Sequence, residues 1–151
     1  MIDIEHVGAV ELSKAGLTSF LNRAREAAGL RGEVDVLLTD DGSLKRLNRT
    51  FRGKNKPTDV LSFPAAENPG GHAGDLAISL DTAARQAAVY GHSLRDEVRI
   101  LILRGLLHLS GMDHETDNGE MAAREYALRG KLRLPVTLIE RAATAGRRRK
   151  A

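Results

Sequence analysis

The stretch LILRGLLHLSGMDH at residues 101–114 joins an apolar helical segment to His108 and His114, two of the chain's five histidines. On an uninterrupted helix these two residues would not share a face, because successive residues are rotated by about 100°. Gly111 lies between them, and glycine readily takes a positive φ and ends a helix. We therefore expect His108 at the end of a helix and His114 on the following loop, with both imidazoles directed towards one point.

Two convergent imidazoles match part of the extended zinc motif His-Glu-x-x-His-x-x-Gly-x-x-His. The first ligand of that motif falls on Arg104, and its general-base glutamate falls on Gly105. A guanidinium has no lone pair to offer a metal. The pattern argues against a metalloprotease. It leaves two alternatives for the histidines, which are metal binding or a loop cap beside a core histidine.

Arg104 lies on a helix that is apolar on almost every side from residue 98 to residue 109. A charge on a buried helix is unfavourable unless it is paired or solvated. One interpretation is a salt bridge, to Glu97 or to Asp113. The other is a cation in an open cleft beside His108, where it could hold a phosphate.

The composition limits the class of protein. The chain has 151 residues and 42% hydrophobic content, which suits one domain with a sizeable core. It has no cysteine, which excludes disulfides, thiolate metal sites and a cysteine nucleophile. The start lacks the pattern of a signal peptide and the longest apolar run is too short to span a membrane, so we expect a cytoplasmic protein.

Basic residues are concentrated where acidic ones are absent, between Asp41 and Asp59. The group consists of Lys45, Arg46, Arg49, Arg52, Lys54 and Lys56. A charge run of this kind is usually a solvated helix face, and otherwise a surface for a polyanion. We expect a helix here that buries Leu44, Leu47 and Phe51 and carries much of the basic group on its other face.

The remaining periodicity predicts four short strands, near residues 2–7, 34–38, 59–63 and 76–80, and about five to six helices. Residues 67–74 contain a proline and three glycines and are expected to form a mobile loop. The prediction is one α+β domain over residues 1–146, with a basic, disordered tail at 147–151. Periodicity does not order the strands.

Several segments together resemble the YbeY family of bacterial endoribonucleases. They are FRGKNKPTDVLSFP at 51–64, GDLAIS at 74–79, GLLHLSGMDH at 105–114, and finally Met121 and Glu125. The resemblance covers roughly residues 33–130 in the family's order. It implies a single-domain α+β fold, here a small mixed four-stranded sheet flanked by helices.

The resemblance also implies a function. It implies a zinc-dependent, single-strand-specific endoribonuclease that matures ribosomal RNA, notably at the 3′ end of the small-subunit RNA, and acts in ribosome quality control. The implied partners are ribosomal RNA and the small ribosomal subunit, in the cytoplasm, with no membrane and no DNA. One zinc ion is held in the family by His-x-x-x-His-x-x-x-x-x-His, whose second and third ligands match His108 and His114 and whose first is Arg104.

The family's functionally important arginine matches Arg52, within the basic group that the charge pattern identifies independently. We expect Arg52 to hold the scissile phosphate, with Lys54, Lys56 and Arg104 as further RNA-binding residues. The departure at Arg104 leaves two hypotheses open.

In the first hypothesis zinc is bound despite Arg104, with Asp113 or His72 as a replacement ligand, and activates a water. In the second, the charge of Arg104 replaces the ion, and the protein is a metal-free RNA- or ribosome-binding assembly factor.

Overall fold

The computed structural model describes residues 1–4, 12–53, 58–65, 71–112 and 117–135, without the side chain of Arg52. Within these ranges the chain forms four strands and five helices. The strands are β1 (Ile2–Ile4), β2 (Glu33–Thr39), β3 (Val60–Pro64) and β4 (His72–Ser79). The helices are α1 (Lys14–Ala27), α2 (Asp41–Arg52), α3 (Leu80–Tyr90), α4 (Leu94–Leu109) and α5 (Glu120–Lys131).

The four strands form one mixed sheet in the order β1-β2-β4-β3. The strands β1, β2 and β4 are parallel, and β3 is antiparallel to β4, with Val60 opposite Ile78 and Phe63 opposite Asp75. The α+β fold with a small mixed sheet is confirmed. The predicted tail at 147–151 lies outside the described residues.

Helix α4 is the centre of the main core. Its apolar side chains pack with those of α1, α3 and α5 and with one face of the sheet. The Oγ of Ser93 accepts a hydrogen bond from Asp96 N and so caps the N-terminus of α4. At Gly105 a Cβ would lie 2.7 Å from Leu76 Cδ2, so any side chain at this position would force the buried Leu76 to shift.

Helix α2 packs on the opposite face of the sheet, where Leu44 contacts Leu61 and Ala77. The expectation that Phe51 is buried is wrong, because its side chain is 65% exposed. Leu44 is buried and Leu47 is half-buried, but the same helical stripe runs past the covered part of the sheet before it reaches Phe51. Helical periodicity identifies a stripe but not how far the neighbouring layer extends.

Strand β4 is longer at its start than expected. His72 and Gly74, which we assigned to a loop, belong to β4, and His72 pairs across to Glu33 of β2. Leu80, which we assigned to the strand, instead begins α3. None of the helices in the described ranges is long and apolar enough to cross a membrane.

Asp41 connects the beginnings of α2 and α3. Its carboxylate accepts hydrogen bonds from Ser79 Oγ, from Thr82 Oγ1 at 2.7 Å and from Arg85 Nη2 at 2.7 Å. Burial acts to raise the pKa of Asp41, but these hydrogen bonds and the charge of Arg85 outweigh it, and the net pKa is lowered. A carboxylate with a lowered pKa stabilises the fold above its unfolded pKa, and this stabilisation is lost as the pH falls through the folded pKa.

We expect Asp41→Ala to lower the free energy of unfolding at neutral pH by about 1–2 kcal/mol, the cost of losing hydrogen bonds to a charged group. Urea unfolding of both proteins at neutral pH and at acidic pH measures this. The difference in free energy of unfolding between the two proteins should become smaller at acidic pH, because Asp41 of the native protein is then protonated. Asp3→Ala, at an exposed position of β1, is the control. An equal difference at both pH values would contradict a role for the charge of Asp41.

Candidate active site

The C-terminal end of α4 presents His108. The helix ends at Leu109, Ser110 caps it, and Gly111 has a φ of 97°, as the glycine argument predicts. His108 lies in the last helical turn and is half-buried. His114 lies outside the described residues, so its expected convergence with His108 stays a prediction.

Arg104 lies one turn before His108 on the same face of α4. Its Nε donates a hydrogen bond to Glu125 Oε1 at 2.9 Å, and its Nη1 is 4.0 Å from Asp59 Oδ2. The side chain is 33% exposed, so it is neither packed into the core nor freely solvated. The salt bridge that was one of the two interpretations of Arg104 is present, with Glu125 of α5 as the partner rather than Glu97. The other suggested partner, Asp113, lies outside the described residues.

Glu125 lies between two arginines. Its Oε2 accepts a hydrogen bond from Arg129 Nη2 at 2.5 Å, while Oε1 accepts from Arg104. Arg129 is fully buried and also donates from Nη1 to Pro135 O at 3.2 Å. One buried carboxylate therefore compensates two guanidinium groups, and removal of one partner of a buried ion pair is costly.

The electrostatic surroundings keep Arg104 protonated. Burial acts to lower the pKa of Arg104, but Glu125, with smaller effects of Asp59 and Glu97, raises it above its usual value. The pKa of Arg129 is lowered. Burial lowers it most and the positive charge of Arg104 lowers it further, and together they outweigh the effect of Glu125. Position 104 thus carries a permanent positive charge beside the imidazole of His108.

The described residues do not fit a three-histidine zinc centre at this place. Arg104 offers no lone pair, and its Nε is already bonded to Glu125. A cation held at the first-ligand position also repels a divalent metal ion. Asp113, one of the suggested replacement ligands, lies outside the described residues.

His72, the other suggested replacement, belongs to a different group of side chains. Asp35 of β2 and Asp75 of β4 are directly paired in the sheet, and His72 Nε2 is 3.3 Å from Asp75 Oδ2. Ligand atoms of these three residues lie within 4.8 Å of one another, so this half-exposed group could hold a metal ion. The Met1 amino group lies 3.2 Å from Asp35 Oδ1 and would compete with a metal there. No group of this kind in the described ranges includes His108.

The basic segment begins on α2 and continues past its end. Lys45 and Arg49 are exposed, and neither has a carboxylate partner among the described residues. Arg52 is the last residue of α2, and Gly53 follows with a φ of 68° that turns the chain away. The side chain of Arg52, and all of Lys54 and Lys56, lie outside the described residues. Their RNA-binding roles stay predictions.

Our sequence reasoning missed the roles of Glu125, Asp59 and Arg129. The sequence did contain a signal for Glu125 and Arg129, because they are four residues apart on one helix, the spacing at which opposite charges pair. The position of Arg104 on an apolar helix also indicated that a carboxylate would have to compensate its charge. Neither signal connects α5 to α4, because that contact depends on how the helices pack.

The chain matches a known family over most of its length. The family profile described as Endoribonuclease YbeY matches residues 5–133. A protein of Koribacter versatilis named Endoribonuclease YbeY is 58% identical over 130 residues, which cover 86% of this chain and 84% of that protein. One of Nautilia profundicola with the same name is 54% identical and covers 72% of this chain and 78% of its own length.

A solved structure supports the fold. The solution structure of a Thermotoga maritima protein aligns with a TM-score of 0.54 and 25% identity. The alignment covers 97% of this chain and 93% of the other.

Proposed function

The chain belongs to the endoribonuclease YbeY family, a family of hydrolases, and we propose that it cleaves single-stranded RNA in ribosomal RNA maturation. The proposed substrate is the 3′ end of the small-subunit ribosomal RNA, with a further role in ribosome quality control. The proposed partners are therefore ribosomal RNA and the small ribosomal subunit, in the cytoplasm, and neither a membrane nor DNA is required.

The observation that carries the proposal is the match to the endoribonuclease family over residues 5–133, to which the structure adds a fixed cation on the same helix face as His108. Glu125 orients the guanidinium of Arg104 through Nε and leaves other N–H groups on a side chain that is partly exposed. An oriented guanidinium is suited to hold a phosphate and to stabilise charge that develops on it. The imidazole of His108, one turn away, is the group suited to transfer a proton.

The basic segment supplies the path of the strand. Lys45 and Arg49 are exposed on α2. Arg52 matches the family's functionally important arginine, and we assign it the role of holding the phosphate. Lys54 and Lys56 follow in the sequence and would guide the strand towards the cleavage site. Contacts between basic side chains and phosphates make the affinity for RNA decrease as the salt concentration rises.

The zinc dependence that the family implies is not part of this proposal. His108 and His114 match two of the family's ligands, but the described surroundings of Arg104 do not fit the third. Charge stabilisation is instead assigned to Arg104 and Arg52. The zinc content of the purified protein is therefore measured separately from its cleavage activity.

A second candidate is a metal-free RNA- or ribosome-binding assembly factor. The Arg104–Glu125 pair favours it, because a permanent cation can bind phosphate without activating a water. This candidate predicts RNA binding that weakens steeply with salt and no cleavage, with or without EDTA. A native protein that cuts unstructured RNA excludes it.

Arg52→Ala tests the endoribonuclease. We expect it to slow cleavage of an unstructured RNA by about 10- to 100-fold, the effect of losing one charge-assisted hydrogen bond of about 1.5–3 kcal/mol. Gel analysis of end-labelled RNA measures the rate, and circular dichroism checks the fold. Arg95→Ala is the matched control, because Arg95 is exposed at the opposite end of α4 from His108. Unchanged cleavage by Arg52→Ala would remove Arg52 from the mechanism.

A further inference from the structure

The end of α2 exposes an aromatic ring in a protein that has few. The chain has three phenylalanines, two tyrosines and no tryptophan. Phe20 is fully buried and Phe63 is half-buried, but Phe51 is 65% exposed. An aromatic side chain this exposed gives up the hydrophobic stabilisation that burial would provide.

Among the described residues, the ring of Phe51 has one aromatic neighbour. It meets the ring of Phe63 on β3, with centroids 5.5 Å apart and planes at 71°, an edge-to-face contact. This contact restricts the orientation of Phe51 without covering most of it. The result is a positioned aromatic surface open to solvent.

Exposed basic residues lie on the same helix as Phe51. Lys45 and Arg49 precede it by six and two residues, which places them on other faces of α2 than the ring, and Arg52 follows directly in the sequence. The sequence contains no acidic residue between Asp41 and Asp59. Exposed cations on the same helix as an open aromatic ring complement a single-stranded nucleic acid, which carries a phosphate backbone and unpaired bases.

We propose that Phe51 is a base-stacking residue that binds one nucleobase of a single-stranded RNA while the basic side chains of α2 contact the adjoining phosphates. This inference rests on the proposed function for the identity of the ligand as RNA. It adds a reason for single-strand specificity, because the face of a base is available for stacking only when the base is outside a duplex.

The test measures affinity for a cleavage-resistant, unstructured RNA oligonucleotide by fluorescence anisotropy at several salt concentrations. We expect Phe51→Ala to weaken binding by about 5- to 100-fold, the range for one base stacked on an aromatic ring. The slope of log Kd against log salt should not change, because no phosphate contact is lost. Lys45→Ala and Arg49→Ala should instead reduce that slope.

Two further variants separate stacking from simple apolar contact. Phe51→Tyr keeps an aromatic face and should bind like the native protein, whereas Phe51→Leu should bind as weakly as Phe51→Ala. Val89→Ala, at an apolar residue of α3 that is 76% exposed, is the matched control and should leave affinity unchanged. An abasic nucleotide at the contacted position should weaken binding of the native protein but not that of Phe51→Ala.

Native affinity in Phe51→Ala or in Phe51→Leu would overturn the stacking proposal and would leave the endoribonuclease proposal standing. Conversely, a native protein that binds RNA through Phe51 but does not cut it would overturn the endoribonuclease and keep the stacking residue. The two failures are therefore distinguishable.

Discussion

Replacing Arg104 with histidine is expected to raise the zinc content of the purified protein to about one ion per molecule, whereas the native chain should retain much less. The substitution places a neutral imidazole nitrogen, which can bind zinc, one turn before His108 and removes the positive charge of Arg104 from the same position. Loss of an outer-shell partner alone changes metal affinity by about 10- to 100-fold, so gaining a direct ligand should raise zinc affinity by more than about 100-fold. Elemental analysis and competition with a chromogenic chelator measure content and affinity.

Two controls make the zinc result specific. Arg104→Leu removes the charge without adding a ligand and should not gain zinc at this site. His72→Ala removes a member of the Asp35–His72–Asp75 group, so zinc lost in this variant was bound there. A native chain that holds about one zinc ion, unaffected by His72→Ala, would contradict the expectation. It would show that a third ligand other than position 104 exists and that the family's zinc chemistry applies.

Glu125→Gln is expected to lower the free energy of unfolding by about 3–5 kcal/mol, as when one partner of a buried ion pair is removed. The melting temperature should fall by about 10 °C. Glu125 is 8% exposed and accepts hydrogen bonds from Arg104 and from the fully buried Arg129. Its neutral replacement leaves two like charges without their shared counter-charge. Urea unfolding followed by circular dichroism measures the change.

A matched control and a double variant sharpen this test. Glu26→Gln, at an exposed position of α1, should change stability by less than about 0.5 kcal/mol. The double variant Glu125→Gln, Arg129→Met also removes the buried positive charge of Arg129, so it should be more stable than Glu125→Gln alone. A Glu125→Gln protein as stable as the native one would contradict the shared role of this carboxylate.

The sequence was sufficient for the local elements near the site. The helix end at Gly111 and the basic helix α2 both follow from rules that relate residues a few positions apart. The family could also be predicted, because its specific segments lie in the family's order. The same local reasoning identified Arg104 as a charge that needed an explanation.

Tertiary structure decided what local periodicity does not contain. The sheet order β1-β2-β4-β3 places β3 at an edge, which no strand pattern specifies. Arg104 and Glu125 are 21 residues apart in the chain and meet only because α5 packs on α4. Phe51 shares a helical stripe with Leu44 but lies beyond the covered part of the sheet. The sequence by itself therefore determined the fold class, the family and the helix end at Gly111. The partner of Arg104 and the exposure of Phe51 depend on the relative placement of whole elements, because long-range packing sets which surfaces meet.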